Sequence, residues 1–133
     1  MRLRRLLPFA VALAIAAAPA ASAKEGARAH LVAPLPAHPA AGSKITVRWS
    51  VDVPGADGTR VPFGANGMFI RLVGLNGTST QATAPQYQPP YRVRVRVPAG
   101  GIHRVRFGLM GTGCDASGCR PSPIFFPLGK SRR

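Results

Sequence analysis

The residue types that could do chemistry in this chain are regularly spaced arginines, two cysteines, three histidines and four acids. A guanidinium group offers a planar set of donors that matches the oxygens of phosphate or carboxylate. Six arginines alternate with apolar residues, so that all six point away from the apolar side. We take them as the candidate anion-binding set: Arg48, Arg92, Arg94, Arg96, Arg104 and Arg106.

The two cysteines, Cys114 and Cys119, are separated by four residues. In an exported protein such a pair forms a disulfide by default, because the compartment is oxidising. The closed loop is short, so the chain-entropy model gives a stabilisation of only about 2 kcal/mol. A metal site would need further Cys or His ligands close by, and the neighbouring sequence has none. We therefore predict a disulfide that holds the tip of one loop.

The acids and histidines do not form a catalytic pattern. Glu25, His30 and His38 lie in a segment rich in Ala and Pro, whereas Asp52 and Asp57 flank a turn-rich loop. Solvated turn residues explain such acids better than a general acid and base pair. The chain has no nucleophile-elbow sequence and no glycine-rich phosphate cradle at the start of a helix. We predict that the protein is not an enzyme and carries no cofactor.

His103 shares the alternation of Val105, Phe107 and Leu109, which places it at the rim of an apolar face. A lone histidine there is predicted to be structural. As a copper ligand it would need partners of the kind that Met68, Met110 or His38 could supply.

The first 23 residues predict a signal peptide. Arg2, Arg4 and Arg5 precede an apolar run over 6–18, and Ala21-Ser22-Ala23 fits a cleavage site before Lys24. We expect general secretion, a secreted or extracytoplasmic protein, and no membrane-spanning segment in the mature chain.

The charge is strongly positive. The net charge of +14 falls to +11 when the three arginines of the predicted leader are removed. Such a charge favours polyanions, although GC-rich codons alone can also enrich a chain in arginine. Outside the cell, anionic lipid headgroups or envelope polymers are the expected partners, and a protein partner stays open. Specific nucleic-acid binding is not expected, because aromatic residues interleave poorly with the arginines.

The elements that would position these arginines are strands. Residues alternate with a period of two over 44–51 and 91–97, and the alternation resumes over 103–109. Trp49 lies in the middle of the first apolar face and is predicted to anchor the core, with ligand stacking as the alternative. Helical periodicity is absent after Lys24. The whole pattern predicts an all-β, immunoglobulin-like β-sandwich of six to seven strands.

The remaining segments are assigned by turn chemistry and polarity. The predicted β-sandwich domain covers 43–128, after a partly flexible lead-in over 24–42 that could add an edge strand over 29–35, and before a basic tail over 129–133. Strands are predicted over 68–74, with both faces covered, over 79–84 and over 124–128. Loops are predicted over 52–67 and 111–119, and a tight turn at Asn76-Gly77.

The link at Pro98–Gly101 can close a hairpin or cross between sheets. A hairpin with both apolar faces on one side would place Arg96 opposite Arg104 and Arg94 opposite Arg106, which is unfavourable. We therefore expect a crossover, which would divide the arginines between two sheets.

Five runs carry a resemblance: F-x-x-x-G-M-F-I-R-L-V-G over 63–74, YRVRVRVPAGGI over 91–102, and FGLMG, CDASGCR and FFPL within 107–128. They resemble small secreted actinobacterial proteins without an assigned function. More distantly, the pattern is similar to the immunoglobulin-like YtkA/FixH-like and CopC-like extracytoplasmic domains. The second resemblance implies a copper-binding or copper-delivery domain as the alternative function. CopC-like domains use an N-terminal His with further His or Met ligands, a cluster without a match here.

Overall fold

The computed structural model describes residues 26–129, and these form two antiparallel sheets packed face to face. The prediction of an all-β sandwich is confirmed, and no helix occurs in the described range. Residues 26–129 contain eight strands rather than the predicted six to seven. The strands are β1 (Arg28–Leu31), β2 (Lys44–Pro54), β3 (Arg60–Pro62), β4 (Met68–Val73), β5 (Ser79–Thr83), β6 (Tyr91–Arg96), β7 (Arg104–Asp115) and β8 (Gly118–Phe126).

The strand order follows the immunoglobulin pattern. In the first sheet, sheet A, β2 pairs with β1 along one edge and with both β6 and β3 along the other. In the second, sheet B, the order is β5-β4-β7-β8. Adjacent β2 and β6 correspond to strands B and E of an immunoglobulin domain, and β4, β7 and β8 to C, F and G. A parallel bridge between Ala29 and Leu128 connects β1 with the end of sheet B.

The link at 97–103 crosses between the sheets, as expected. β6 pairs with β2 in sheet A, whereas β7 pairs with β4 in sheet B. The premise behind that expectation was wrong, however, because the chain does not avoid opposed like charges. Arg48 lies opposite Arg92 and Arg71 lies opposite Arg106. Long arginine side chains at a surface can splay apart, and solvent screens the charges that remain close.

The core is centred on Trp49, which is fully buried, so its predicted role as the core anchor is confirmed. Its ring packs 5.4 Å from that of Tyr91 and 5.5 Å from that of Phe107, measured between centroids. The Tyr91 hydroxyl donates to the Phe63 carbonyl at 2.9 Å and accepts from the Ala65 amide at 3.2 Å. Burial raises the pKa of Tyr91, because the phenolate would lose its hydration. The Trp49 indole N–H has no partner among the described residues.

The predicted loop over 111–119 is instead part of a long hairpin, which is a correction. β7 pairs with β4 only as far as Leu109, and beyond it β7 and β8 continue alone as a two-stranded ribbon. The final strand accordingly begins at Gly118, not at 124. Cys114 and Cys119 lie opposite each other at the tip and form the predicted disulfide. An isolated two-stranded ribbon is marginal in water, so the covalent link holds together a segment that lacks a third strand.

The predicted loop over 52–67 also needs correction. β2 runs on to Pro54, and β3 pairs with its end through a tight turn at Asp57-Gly58. Gly58 adopts a φ of +81°, and the Gly55 amide donates to the Thr59 carbonyl at 2.6 Å. The short strand escaped detection because its residues carry turn chemistry on both sides.

The structure describes only part of the predicted terminal segments. β1 lies within the predicted lead-in, at the place where an edge strand over 29–35 was considered. The predicted signal peptide and all but the first residue of the predicted basic tail fall outside the described residues. Within 26–129 there is no long apolar helix of the kind that crosses a membrane.

Gly108 is the glycine whose size matters most. It lies on the outer side of sheet B between Phe69 and Phe125, and the Phe69 ring occupies the space that a side chain would take. A Cβ at this position would also lie 2.7 Å from the Ile124 carbonyl oxygen. Phe69 is thereby fully buried although it points away from the core. β4 is therefore covered on both faces, as its apolar sequence predicted.

We expect Gly108→Ala to destabilise the fold by about 1–3 kcal/mol, because the added methyl group overlaps backbone and ring atoms that cannot both move. Gly111→Ala, on the same strand, is the matched control, since its Cβ would lie at 3.4 Å from its nearest neighbours. Urea unfolding followed by the fluorescence of Trp49 measures both. Equal stability of the two variants would contradict this account of Gly108.

Candidate anion-binding surface

The alternation in β2 and β6 sorts their side chains onto two faces. Val47 pairs with Val93, and Ile45 with Val95, and all four side chains point into the core. The residues between them must therefore point outward. On the outer face of sheet A this gathers five exposed cations, which we call the basic plate: Lys44, Arg48, Arg92, Arg94 and Arg96.

The register brings these cations close to one another. Arg48 lies directly opposite Arg92, Lys44 opposite Arg96, and Arg94 opposite the neutral Thr46. Opposed residues have Cβ atoms about 5 Å apart. Residues on one face of a strand repeat about every 7 Å, so the plate is roughly 14 Å long. A compact group of positive charges on a flat surface results.

No described carboxylate neutralises the plate. The three acids in 26–129 are bonded elsewhere: Asp52 to Arg60, Asp57 to Thr59, and Asp115 to Ser117 and Arg120. Within this range the only hydrogen bond from a plate side chain is from Arg96 Nη1 to the Gly42 carbonyl at 2.7 Å. The other four cations have no hydrogen-bond acceptor in the part of the chain that the structure describes, and this leaves their side chains available to bind an anion.

The six predicted arginines are separated between the two sheets, four on sheet A and two on sheet B. Arg48, Arg92, Arg94 and Arg96 join the plate, whereas Arg104 and Arg106 lie on the outer face of sheet B, on the opposite side of the molecule. Lys44 was missed as a member, although it shares the alternation of Thr46 and Arg48 and could have been found from it.

A second polar cluster lies further along the same face and was not foreseen. Arg60 donates through Nε to Asp52 at 2.6 Å and through Nη2 to the Gly26 carbonyl at 2.6 Å. His30 Nδ1 lies 3.6 Å from the other Asp52 oxygen. These contacts tie β1, β2 and β3 together. Asp52 is thus not the solvated loop residue that the sequence predicted. Asp57, by contrast, caps a turn, and a hydrogen bond from the Thr59 hydroxyl lowers the pKa of Asp57.

The gap between β3 and β6 leaves a shallow depression of about 270 Å³ beside this cluster. Its lining includes His30, Ser50 and Asp52, together with Pro62, Pro89 and Pro90. Because Asp52 already neutralises Arg60, the depression offers hydrogen bonds rather than net positive charge.

The residues weighed as metal ligands are not brought together. No group of three His, Cys, Asp or Glu in 26–129 lies close enough to hold a metal ion. Met68 is fully buried in the core, and His38 and His103 are exposed. His103 begins the pairing of β7, its amide donating to the Val73 carbonyl at 2.8 Å.

Comparisons of the chain with protein-family models, curated proteins and solved structures found no significant match. The geometry of the chain's own residues therefore carries the functional inference.

We expect Asp52→Asn to cost about 1–3 kcal/mol, because it weakens a charged hydrogen bond and leaves the half-buried guanidinium of Arg60 without its counter-ion. Asp57→Asn removes the same charge in an exposed turn and should cost less than about 0.5 kcal/mol. Urea unfolding of both variants measures the difference. If Asp52→Asn proves as mild as Asp57→Asn, Asp52 does not hold the three strands together.

Proposed function

We propose that this protein is an exported, non-enzymatic binding module that holds anionic components of the cell envelope on its basic plate. The observation that carries the proposal is the plate itself: five exposed cations on one face, with no described carboxylate in contact. Export rests on the predicted leader over 1–23.

The shape and composition of the plate favour a phosphate-bearing surface or an extended polymer as the ligand. The plate is a flat two-stranded ladder and not a groove, so it can lie against headgroups or follow a linear chain. Its outward residues include no aromatic side chain that could stack on a base, since Thr46 is the sixth outward position. Recognition is then electrostatic and follows phosphate density.

The expected affinity is modest and depends on salt. Each Lys or Arg near an anionic membrane surface contributes about 1 kcal/mol. Five such residues correspond to a dissociation constant on the order of 0.1–1 mM for one module. Binding should weaken steeply with ionic strength, because the Debye length falls to about 8 Å in physiological salt.

The test compares two variants of equal net charge. Arg92→Gln with Arg94→Gln removes two charges from the plate, whereas Arg104→Gln with Arg120→Gln removes two exposed charges from other surfaces. We expect the first pair to weaken binding by about 25-fold, which follows from about 1 kcal/mol per residue. The second pair should change binding by less than about threefold. Equal weakening by the two pairs would contradict a local site and indicate a diffuse positive field.

Two ligands distinguish the source of the phosphate. Cosedimentation with vesicles of phosphatidylcholine and phosphatidylglycerol, against phosphatidylcholine alone, measures binding to headgroups. Titration with soluble poly(glycerol phosphate) measures binding to a polymer. Binding to one of the two ligands that persists at physiological salt would identify the class of ligand. If the protein binds neither ligand, the proposal is contradicted.

A further inference from the structure

The outer face of sheet B carries a second arrangement of arginines, which differs from the plate because aromatic rings hold it. Phe69 lies against Gly108, and Phe125 meets the Phe69 ring edge to face, with centroids 5.6 Å apart and planes at 82°. The two rings fill the centre of the face. Their outward surfaces form a platform beside the directly opposed pair of Arg71 and Arg106.

Both guanidinium groups rest on this platform. The Arg106 Cζ atom lies 3.5 Å from the centroid of the Phe125 ring. The Arg71 Cζ atom lies 5.1 Å from the centroid of Phe125 and 5.7 Å from that of Phe69. Gln81 fixes Arg71 further, since its Oε1 accepts from Nε at 3.0 Å and from Nη2 at 2.8 Å. The side chains are half-buried, in contrast to the exposed cations of the plate.

This arrangement places two like charges directly opposite each other in the ladder, with no counter-ion among residues 26–129. Directly opposed like charges destabilise a ladder, and cation–π contact with the rings offsets part of this destabilisation. Arg71 uses Nε and one terminal nitrogen on Gln81, whereas Arg106 donates to no acceptor among the described residues. The remaining N–H groups of the two side chains have no acceptor within the described part of the chain.

We propose that Arg71 and Arg106 form a pre-organised site for a single oxyanion group of the phosphate class, on the face opposite the basic plate. A tetrahedral dianion carries enough oxygens to accept from two guanidinium forks at once, and its charge offsets the repulsion between them. Because the rings and Gln81 already fix the guanidinium planes, binding loses little side-chain freedom. The site does not depend on the function proposed for the plate.

The same geometry leaves no free face of Phe125 beneath Arg106 on which a ligand could stack. The face of Phe125 that a base or a sugar ring would use is covered by the guanidinium of Arg106. The pair therefore recognises charge and oxygen geometry, and the aromatic rings serve as positioning residues.

The test is titration of the purified protein with inorganic phosphate at constant ionic strength, followed through the arginine Nε–H signals in NMR spectra. We expect the Arg71 and Arg106 signals to shift in a saturable way. Arg104 is the internal control, since it lies two residues before Arg106 on the same strand, is exposed, and stacks on no described ring. Equal shifts of Arg104, or equal shifts with chloride in place of phosphate, would overturn the proposal.

Two variants separate the contribution of side-chain geometry from that of charge. Phe125→Leu keeps both arginines but removes the ring that aligns them, so phosphate binding should weaken by about fivefold. Arg106→Lys keeps the charge without the planar fork and should weaken binding to a similar degree or more. The backbone amide spectrum confirms that each variant is folded. Unchanged affinity in Phe125→Leu would show that the rings do not organise the site, whereas the plate variant Arg92→Gln with Arg94→Gln should bind phosphate here as the parent does.

Discussion

The constraint on which this structure depends is the alternation of β2 and β6. Their valines must enter the core together with Trp49, so the residues between them must point outward. The outer face of sheet A thus collects five cations whose mutual repulsion no described acid relieves. The apolar face stabilises the fold, and the charged face weakens it. Binding sites commonly contain such surfaces, although uncharged residues at the same positions would make the fold more stable.

Much of the fold could be predicted from the sequence, because the strongest strands are those with one dry and one wet face. Lys44–Val51 and Tyr91–Val97 alternate without interruption, and the central position of Trp49 in the first apolar face indicated its burial. The crossover after β6 was predicted correctly but from an insufficient argument, since arginine opposes arginine elsewhere in both sheets. Sandwich connectivity, not charge avoidance, decides which strands pair.

The missed features all depend on which residues pair or pack in the folded chain, at short as well as long separations in sequence. The ribbon beyond Met110 contains Gly111, Gly113 and Pro121, which are typical of loops, and only its pairing and the disulfide make it a strand. Likewise, Arg60 joins Asp52 across a turn, and Arg71 meets Phe125 from another part of sheet B. Periodicity predicts which way a side chain points, but it does not predict which side chain lies beside it.

The most direct test of the account is the free energy of unfolding as a function of sodium chloride concentration at neutral pH, followed by the fluorescence of Trp49. If the plate holds uncompensated charges, stability should rise by about 1 kcal/mol between low salt and roughly 0.5 M salt, as screening reduces the repulsion. The rise should be clearly smaller in Arg92→Gln with Arg94→Gln. The claim that repulsion on the plate limits the stability of the fold would be contradicted if the free energy of unfolding stays flat or falls with salt. An equal rise in that variant would contradict it as well.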